Sequence, residues 1–364
     1  MTMEQTLPKD IERVRALSLL FGPTGAESFV ADEIEAELPS LCDSYVRDRM
    51  GNLIALIRCG DPAADKRRRV MISAHMDEVG VMITEVCEDG LLRFDTVGGI
   101  HESVLEGRKL VLMHGDTRVN GLVASKAIHH KKRSDRKKLT PIEKLYIDIG
   151  AADRESAEQL VAVGDLGTFD SSFYLFGKDD SLMKGKALDD RMGCAAMLEI
   201  MASLMQNRPS ANLDLYFCFT VREEIGLSGA KVAAAKIAPE VAIVLESTAV
   251  GDLAGTPESK RVAKLGDGGA ISLMDRSTVY ARDMIDFAFR VAEERGISAQ
   301  VKRYVSGGND AGSIHKTGIG VRTLALSVPT RYLHSPSCVA SVSDYRAVRD
   351  LTEAMLRAMT AQLP

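Results

Sequence analysis

Histidine or carboxylate side chains follow four apolar stretches that are predicted to be strands. The stretches are Val70–Ala74, followed by His75 and Asp77; Leu213–Val221, followed by Glu223 and Glu224; Val241–Leu245, followed by Glu246; and Thr323–Val328, followed after a short loop by His334. In open α/β sheets, ligands bind beyond the carboxyl ends of the strands. The pattern therefore predicts an α/β sheet that gathers these polar side chains at one edge.

This α/β pattern is interrupted in the first half of the chain. From Val79 to Gly177, short β-like runs ending with Phe173–Phe176 alternate with Gly and Asp turns, and only Arg154–Leu160 looks helical. The chain has 364 residues, which is longer than a domain with a single hydrophobic core usually is. We predict one domain built from residues 1–78 and 180–364, and an inserted β-rich domain at 79–179.

Composition limits the classes of partner. The net charge of −5 argues against a nucleic-acid-binding protein, and no run approaches the roughly 18 apolar residues that span a bilayer. The N-terminus lacks a basic start followed by an apolar run, so no secretory signal is expected. The six cysteines are irregularly spaced without a CxxC pair, as in reduced thiols of a cytoplasmic protein. The basic run His129–Lys138 is typical of a solvated loop, less often of a binding patch.

Each polar residue has an ordinary explanation when taken alone. Asp189 and Asp190 precede a predicted helix and could be N-caps, a single His75 is usually a buried histidine, and Glu223-Glu224 is usually a solvated turn. As a set, two His with an excess of carboxylates suit Zn²⁺, Co²⁺ or Mn²⁺, and one carboxylate can bridge two ions. One Glu of the adjacent pair could then bind metal while its neighbour transfers protons.

Asp77 follows His75 by two residues, so the two side chains share a face if the strand continues. A carboxylate there can accept the second ring N–H of a metal-binding histidine and fix its tautomer.

Five motifs in this order resemble those of the M42 metallo-aminopeptidases, the glutamyl aminopeptidase and tetrahedral aminopeptidase family. They are Ser73-Ala-His-Met-Asp-Glu-Val-Gly80, Gly185-Lys-Ala-Leu-Asp-Asp-Arg191, Thr220-Val-Arg-Glu-Glu-Ile-Gly-Leu-Ser-Gly-Ala230, Gly307-Gly-Asn-Asp-Ala311 and Tyr332-Leu-His-Ser335. The resemblance covers essentially the whole chain. It implies an α/β/α sandwich metallopeptidase domain with an inserted small β-barrel-like domain.

The resemblance also implies a role for each matching residue. Two divalent metal ions per subunit are expected, Zn²⁺ or Co²⁺, with Mn²⁺ as a further candidate. The implied ligands are His75, Asp189 and Glu246 for one ion, and Asp189, Glu224 and His334 for the other. Glu223 would be the general base and acid, Asp77 would orient His75, and the Asp189–Asp190 peptide would be cis. Many relatives have Asp where this chain has Glu246.

Relatives of this kind cut the first residue from short peptides. They assemble as homo-oligomers, including tetrahedral dodecamers built from dimers through the inserted domain, and their active sites face an interior chamber. Members serve acidic, basic or apolar N-terminal residues, so the resemblance does not fix the side-chain preference.

Three other functions fit parts of this pattern. A retaining glycosidase needs two carboxyl groups about 5–5.5 Å apart and commonly has aromatic platforms, whereas this chain has no Trp and only 5% aromatic residues. A deacylase or carboxypeptidase could use the same metal site and differs in whether a free α-amine is required. A scaffold without activity would have no need of Glu223.

Overall fold

The computed structural model describes residues 7–130, 133, 137–303, 305 and 307–360. In these ranges the helices are α1 (Lys9–Leu19), α2 (Ser28–Leu41), α3 (Glu102–Leu105), α4 (Arg154–Glu158), α5 (Leu188–Gln206), α6 (Ser228–Ile237), α7 (Arg282–Arg295), α8 (Ala311–Ile314) and α9 (Val342–Ala358). The strands are β1 (Ser44–Arg47), β2 (Leu53–Cys59), β3 (Arg68–His75), β4 (Gly80–Val86), β5 (Leu92–Val97), β6 (Lys109–His114), β7 (Thr117–Ser125), β8 (Leu145–Asp148), β9 (Leu166–Phe169), β10 (Tyr174–Phe176), β11 (Leu182–Gly185), β12 (Leu213–Thr220), β13 (Val241–Ala249), β14 (Gly269–Ser272), β15 (Ala299–Lys302), β16 (Arg322–Arg331) and β17 (Cys338–Ser341).

A large mixed sheet forms the main body of the described chain. Its order is β1-β2-β12-β3-β13-β16-β17-β11-β10, with β14 and β15 attached through β16. The central strands β12, β3, β13 and β16 are parallel. They are almost continuously apolar and buried, as expected for strands covered on both faces. Helix α5 packs on β3 and β13, while α6 packs on β12 and α8 on β13 and β16.

In the chain, the strands of a closed barrel lie between β3 and β10 of the large sheet. Six strands close it in the order β4-β5-β8-β7-β6-β9, around a separate apolar core that includes Ile83, Leu92, Leu112 and Ile147. The barrel strands therefore lie within the predicted insertion at 79–179, and the exact division of the chain stays a prediction.

The run Phe173–Phe176, assigned above to the insertion, does not belong to the barrel. Strand β10 pairs antiparallel with β11, which places Leu175 opposite Met183 at the edge of the large sheet. That assignment was wrong because three residues of alternating exposure carry no sign of which sheet they join.

The structure contains the predicted hairpin and the predicted closing helix. The predicted hairpin at Val46–Arg58 is the antiparallel pair β1–β2, and the predicted closing helix ends at Ala358 rather than Leu363, with 361–364 outside the described residues. Part of the basic run His129–Lys138 also lies outside them. Among the described helices, none is both long and apolar enough to cross a bilayer.

A buried ionic cluster joins the barrel to the main sheet. Glu78 accepts hydrogen bonds from Lys186 Nζ at 2.5 Å and from Thr168 Oγ1 of β9 at 2.7 Å. Arg191 of α5 lies 3.5 Å from the same Glu78 carboxylate, and Lys186 Nζ also donates to the Leu20 carbonyl at 2.7 Å. The cluster fixes the segments on either side of the barrel against the start of α5.

Candidate metal centre

Three predicted ligands meet at the buried end of the site. His75 ends β3, Glu246 lies near the end of β13, and Asp189 lies at the start of α5. His75 Nε2 lies 3.5 Å from Asp189 Oδ1 and 3.6 Å from Glu246 Oε1. These separations are long for hydrogen bonds, and one ligand atom from each residue lies within 4.8 Å of the others. His75 and Glu246 are buried, and the Asp189 side chain is 12% exposed.

A second group shares Asp189 and opens toward the barrel. His334 Nε2 lies 3.3 Å from Glu224 Oε1 and 3.6 Å from Asp189 Oδ2. Asp189 therefore directs one oxygen to His75 and the other to His334, which is the arrangement that a bridging carboxylate requires. His334 Nδ1 lies 2.8 Å from the carbonyl of Gly99, so a loop of the barrel orients the His334 ring.

The electrostatics of the two histidines follow from these contacts. Burial lowers the pKa of His334, but Asp189 and Glu224 outweigh it and raise the pKa to about 9. Burial likewise lowers the pKa of His75, yet Asp189, Asp77 and Glu246 raise it well above its ordinary value. The pKa of Asp189 is lowered because His334 and His75 overcome its burial. The bridging position thus holds an ionised carboxylate.

Glu223 and Glu224 are adjacent in the chain, and both have raised pKa values. Burial and Asp189 raise the pKa of Glu224 to about 7, against the opposing effect of His334. Burial is also the first cause of the raised pKa of Glu223, with further increases from Glu224 and Asp310. Glu223 could also join His75 and Glu224 in a third possible ligand group, so geometry alone leaves its role as base or ligand to be tested.

Asp77 supports the site more broadly than the sequence predicts. Its carboxylate accepts hydrogen bonds from Thr24 Oγ1 at 2.7 Å and from the backbone N–H groups of Glu223 and Glu224 at 3.0 and 3.1 Å. His75 Nδ1 lies 3.5 Å from Asp77 Oδ1 and 3.1 Å from the Asp77 carbonyl. Asp77 therefore positions both the histidine and the Glu pair, and the backbone carbonyl shares the task of orienting the ring.

The two aspartates at the start of α5 have different roles. The Asp189–Asp190 peptide is cis, as the resemblance implies. Asp190 Oδ1 accepts the backbone N–H of Gly193 at 3.0 Å, so the capping explanation fits Asp190. It does not fit Asp189, whose side chain faces the two histidines.

The donor set fits divalent metal ions. Two of its buried oxygens, Asp189 Oδ1 and Glu246 Oε2, have no hydrogen-bond partner among the described residues. Buried carboxylate oxygens without partners are costly unless an ion satisfies them. Imidazole nitrogens combined with carboxylates match Zn²⁺ and its neighbours in the first transition series.

Three residues near the site were not singled out from the sequence. Thr24 precedes α2 and reaches Asp77 across 53 positions. Asp310, inside the quoted Gly307–Ala311 motif, accepts hydrogen bonds from Thr220 Oγ1 at 2.7 Å and Ser73 Oγ at 3.4 Å. Lys302 ends β15 and is only 7% exposed. The motif could have indicated Asp310, whereas Thr24 and Lys302 have no local signal.

Comparison with known proteins gives a consistent family of relatives. The model of the M42 glutamyl aminopeptidase family matches residues 51–351. A candidate aminopeptidase of Acetivibrio thermocellus is 37% identical over 338 residues, which is 92% of this chain and 95% of the relative. A TET aminopeptidase from a marine-sediment Thaumarchaeota archaeon superposes with a TM-score of 0.92 at 30% identity, covering 98% of both chains. The TET1 peptidase of Pyrococcus horikoshii, described as assembling into a tetrahedron or a large octahedral shell, has a TM-score of 0.84 at 32% identity, covering 96% of this chain and 100% of its own.

Proposed function

The chain belongs to the M42 glutamyl aminopeptidase family and is an aminopeptidase, and we propose that it removes the first residue of short peptides with two divalent ions and Glu223 as the general base. The observation that carries this proposal is the Asp189 carboxylate, with one oxygen facing His75 and the other facing His334.

The ligands of each ion are proposed from the two groups around Asp189. His75, Asp189 and Glu246 would hold one ion, and Asp189, Glu224 and His334 the other. Such a pair supplies Lewis acidity that lowers the pKa of water and polarises the scissile carbonyl. Zn²⁺ or Co²⁺ suits these donors, and Mn²⁺ remains a further candidate.

Glu223 is assigned to proton transfer because Glu224 is the member of the pair that contacts His334 in the second group. The Asp77 carboxylate accepts the backbone N–H groups of both glutamates, which fixes the turn, while Glu224 alone faces His334. A buried carboxylate with a raised pKa can take a proton from water and then give it to the leaving amine.

Oligomerisation and location complete the proposal. The likeness to the TET1 peptidase supports a homo-oligomer, with a tetrahedral dodecamer built from dimers as the expected form. A chamber of that kind would admit short peptides and exclude folded proteins. All six cysteines are free thiols, which fits a reducing cytoplasm. Light scattering of the purified chain would measure its mass.

A Glu223→Gln variant tests the chemistry. The amide cannot accept a proton, so kcat on aminoacyl-p-nitroanilides should fall by about 10²–10⁴-fold while the bound metal remains. Elemental analysis would count the metal, and Glu294→Gln, at an exposed position in α7, is the matched control.

Two results would contradict the proposal. Full activity of Glu223→Gln would remove the assigned base. Equal turnover of free and N-acetylated peptides would point to a deacylase or an endopeptidase, because an aminopeptidase requires the free α-amine.

A further inference from the structure

A cavity with basic walls lies where the barrel meets the main sheet. Its volume is about 230 Å³, and it is separate from the group of proposed metal ligands. The walls come from the start of β6, the segment between β9 and β10, strand β11 and the loop that follows His334. The basic and hydroxyl side chains that line it belong to Arg108, Lys109, Lys184, Ser171, Ser172 and Ser337.

Lys184 brings a charge to this cavity that no acid neutralises. The residue is only 9% exposed, and its ammonium donates hydrogen bonds of 2.8 Å to Ser171 Oγ and to the Ser172 carbonyl. It forms no ion pair with a carboxylate in the described ranges, and burial lowers its pKa. Buried lysines are usually paired. The third N–H of this ammonium is therefore left for an acceptor that carries a negative charge.

Arg108 and Lys109 add two further cations. Arg108 Nε donates to the Val104 carbonyl at 2.9 Å, and neither side chain forms an ion pair within the part of the chain that the structure describes. Among the described lining residues, Asp170 is the one acid, and its carboxylate lies 3.4 Å from an Arg118 guanidinium nitrogen. The cavity therefore has three cations against one carboxylate that already faces an arginine.

This set of donors is typical of a site for a tetrahedral oxyanion. Guanidinium and ammonium groups form short, charge-assisted hydrogen bonds to phosphate oxygens. The hydroxyl groups of Ser172 and Ser337 can donate to further oxygens. Phosphate presents four oxygens, so one ion can accept hydrogen bonds from Lys109 of β6 and from Lys184 of β11 at the same time.

The cavity also shares a wall with the loop that carries His334. Ser171 Oγ accepts the hydrogen bond from Lys184 and donates to the Pro336 carbonyl at 2.6 Å. Pro336 and Ser337 follow His334 by two and three residues, and both line the cavity. An ion held by Lys184 and Ser337 would therefore hold this loop as well.

We propose that the cavity binds a tetrahedral oxyanion of the phosphate type, which joins β6 to β11 and holds the loop that places His334 at the metal centre. The oxyanion site does not depend on the proposed function, whereas its effect on metal binding by His334 rests on that function. Phosphate and the metal ion of the His334 group should then favour each other's binding.

Isothermal titration calorimetry of the metal-loaded protein with inorganic phosphate tests the site. Lys109→Gln, at an exposed position where the fold does not need the ammonium, should weaken phosphate binding by about tenfold. Lys184→Met should weaken it at least as much. Lys231→Gln, at an exposed position in α6, is the matched control and should keep the wild-type affinity. Phosphate bound to the metal ions instead would bind equally well to Lys109→Gln, so an unchanged affinity there, or no binding by the wild type, would overturn the site.

Metal affinity tests the effect on the His334 loop. Competition with a coloured chelator should show that saturating phosphate raises the metal affinity of the wild type by about fivefold or more. At the same phosphate concentration the gain should be smaller in Lys109→Gln, and both samples lose the same amount of free metal to phosphate. Phosphate binding without any gain in metal affinity would overturn the link to His334. Failure to cleave any aminoacyl substrate with any metal would instead overturn the proposed function, and the phosphate titration would still report on the cavity.

Discussion

Asp77 shows how one carboxylate can hold several parts of a site. Its carboxylate accepts hydrogen bonds from the Thr24 hydroxyl and from the backbone N–H groups of Glu223 and Glu224, and it lies 3.5 Å from His75 Nδ1. Supporting groups of this kind orient metal ligands and adjust their basicity without binding the ion themselves.

The Asp77→Asn variant tests this role. An amide keeps the size but presents N–H donors to groups that already donate, so metal affinity and kcat should each fall by about 10–100-fold. Competition with a coloured chelator would measure the affinity. Asp89→Asn, in an exposed turn, should leave it unchanged. Wild-type affinity in Asp77→Asn would mean that the backbone carbonyl of Asp77 alone orients His75.

His334 should couple metal binding to pH. Its raised pKa, about 9, means that the metal-free protein carries a proton there at pH 7, and Glu224, with a pKa of about 7, carries part of another. Both must leave before the ligand atoms bind an ion. Metal affinity should therefore rise by about tenfold per pH unit for each proton released, up to pH 9.

The raised pKa of His334 also determines how the stability of the metal-free fold changes with pH. Because the folded pKa of His334 lies above the unfolded value, its contribution to the stability of the metal-free fold is present below pH 6.5 and is lost as the pH rises through about 9.

The release of protons on metal binding can be measured directly. Calorimetry in two buffers of different ionisation enthalpy counts the protons released on metal binding. His101→Gln, on the barrel, should release as many as the wild type. No release at pH 7.5 would contradict the prediction.

At the scale of elements, sequence reasoning succeeded where a buried strand runs directly into a polar residue. The apolar runs before His75 and Glu246 are nearly unbroken, so both strands could be predicted. Strand β3 ends at His75 as expected, whereas β13 continues through Glu246 to Ala249. The helix at Asp189 was also expected, and the M42 resemblance and the α/β fold with an inserted barrel are confirmed. The catalytic roles of the assembled residues stay predictions.

What could not be predicted depends on contacts between distant segments. Thr24 contacts Asp77 across 53 positions of the chain. Lys302 comes near Glu246 only through the order of strands β13, β16, β14 and β15 in the sheet. A lysine at the end of a short strand resembles a solvated residue in the sequence, since nothing local reports its burial. The placement of β10 failed for the same reason.

The cluster of Glu78 and Lys186 should stabilise the junction between the barrel and the main sheet. Both side chains are nearly fully buried, and removing Lys186 leaves Glu78 with only Arg191, at the longer distance of 3.5 Å, as a charged partner in the cluster. Lys186→Met should lower the free energy of unfolding by about 3 kcal/mol, and adding Glu78→Gln should cost less than the sum of the single changes. Urea unfolding would measure each value, with Lys236→Met, on the exposed side of α6, as the control. Strict additivity would show that the two residues do not act as a pair.

At the scale of the whole molecule, the site joins segments that are far apart in the chain. The proposed ligands come from β3, the start of α5, the turn after β12, β13 and the loop after β16, and His334 also contacts the barrel at Gly99. Ions bound there would link the main sheet to the barrel through His334, and only the native state would bind them.

Metal removal should therefore lower the melting temperature of the whole protein. A ligand at 100 times its Kd stabilises the native state by about 2.7 kcal/mol, which for a chain of this size amounts to roughly 2 °C or more. Dialysis against a chelator followed by return of Zn²⁺ or Co²⁺ would measure the shift by differential scanning calorimetry.

Variants of the adjacent glutamates distinguish a metal ligand from a general base. Glu224→Gln should lose much of the metal-dependent shift in melting temperature, whereas Glu223→Gln should keep the shift while remaining inactive. If Glu223→Gln instead lost the shift, Glu223 would be a ligand, as the third grouping with His75 and Glu224 allows, and proton transfer would need another residue.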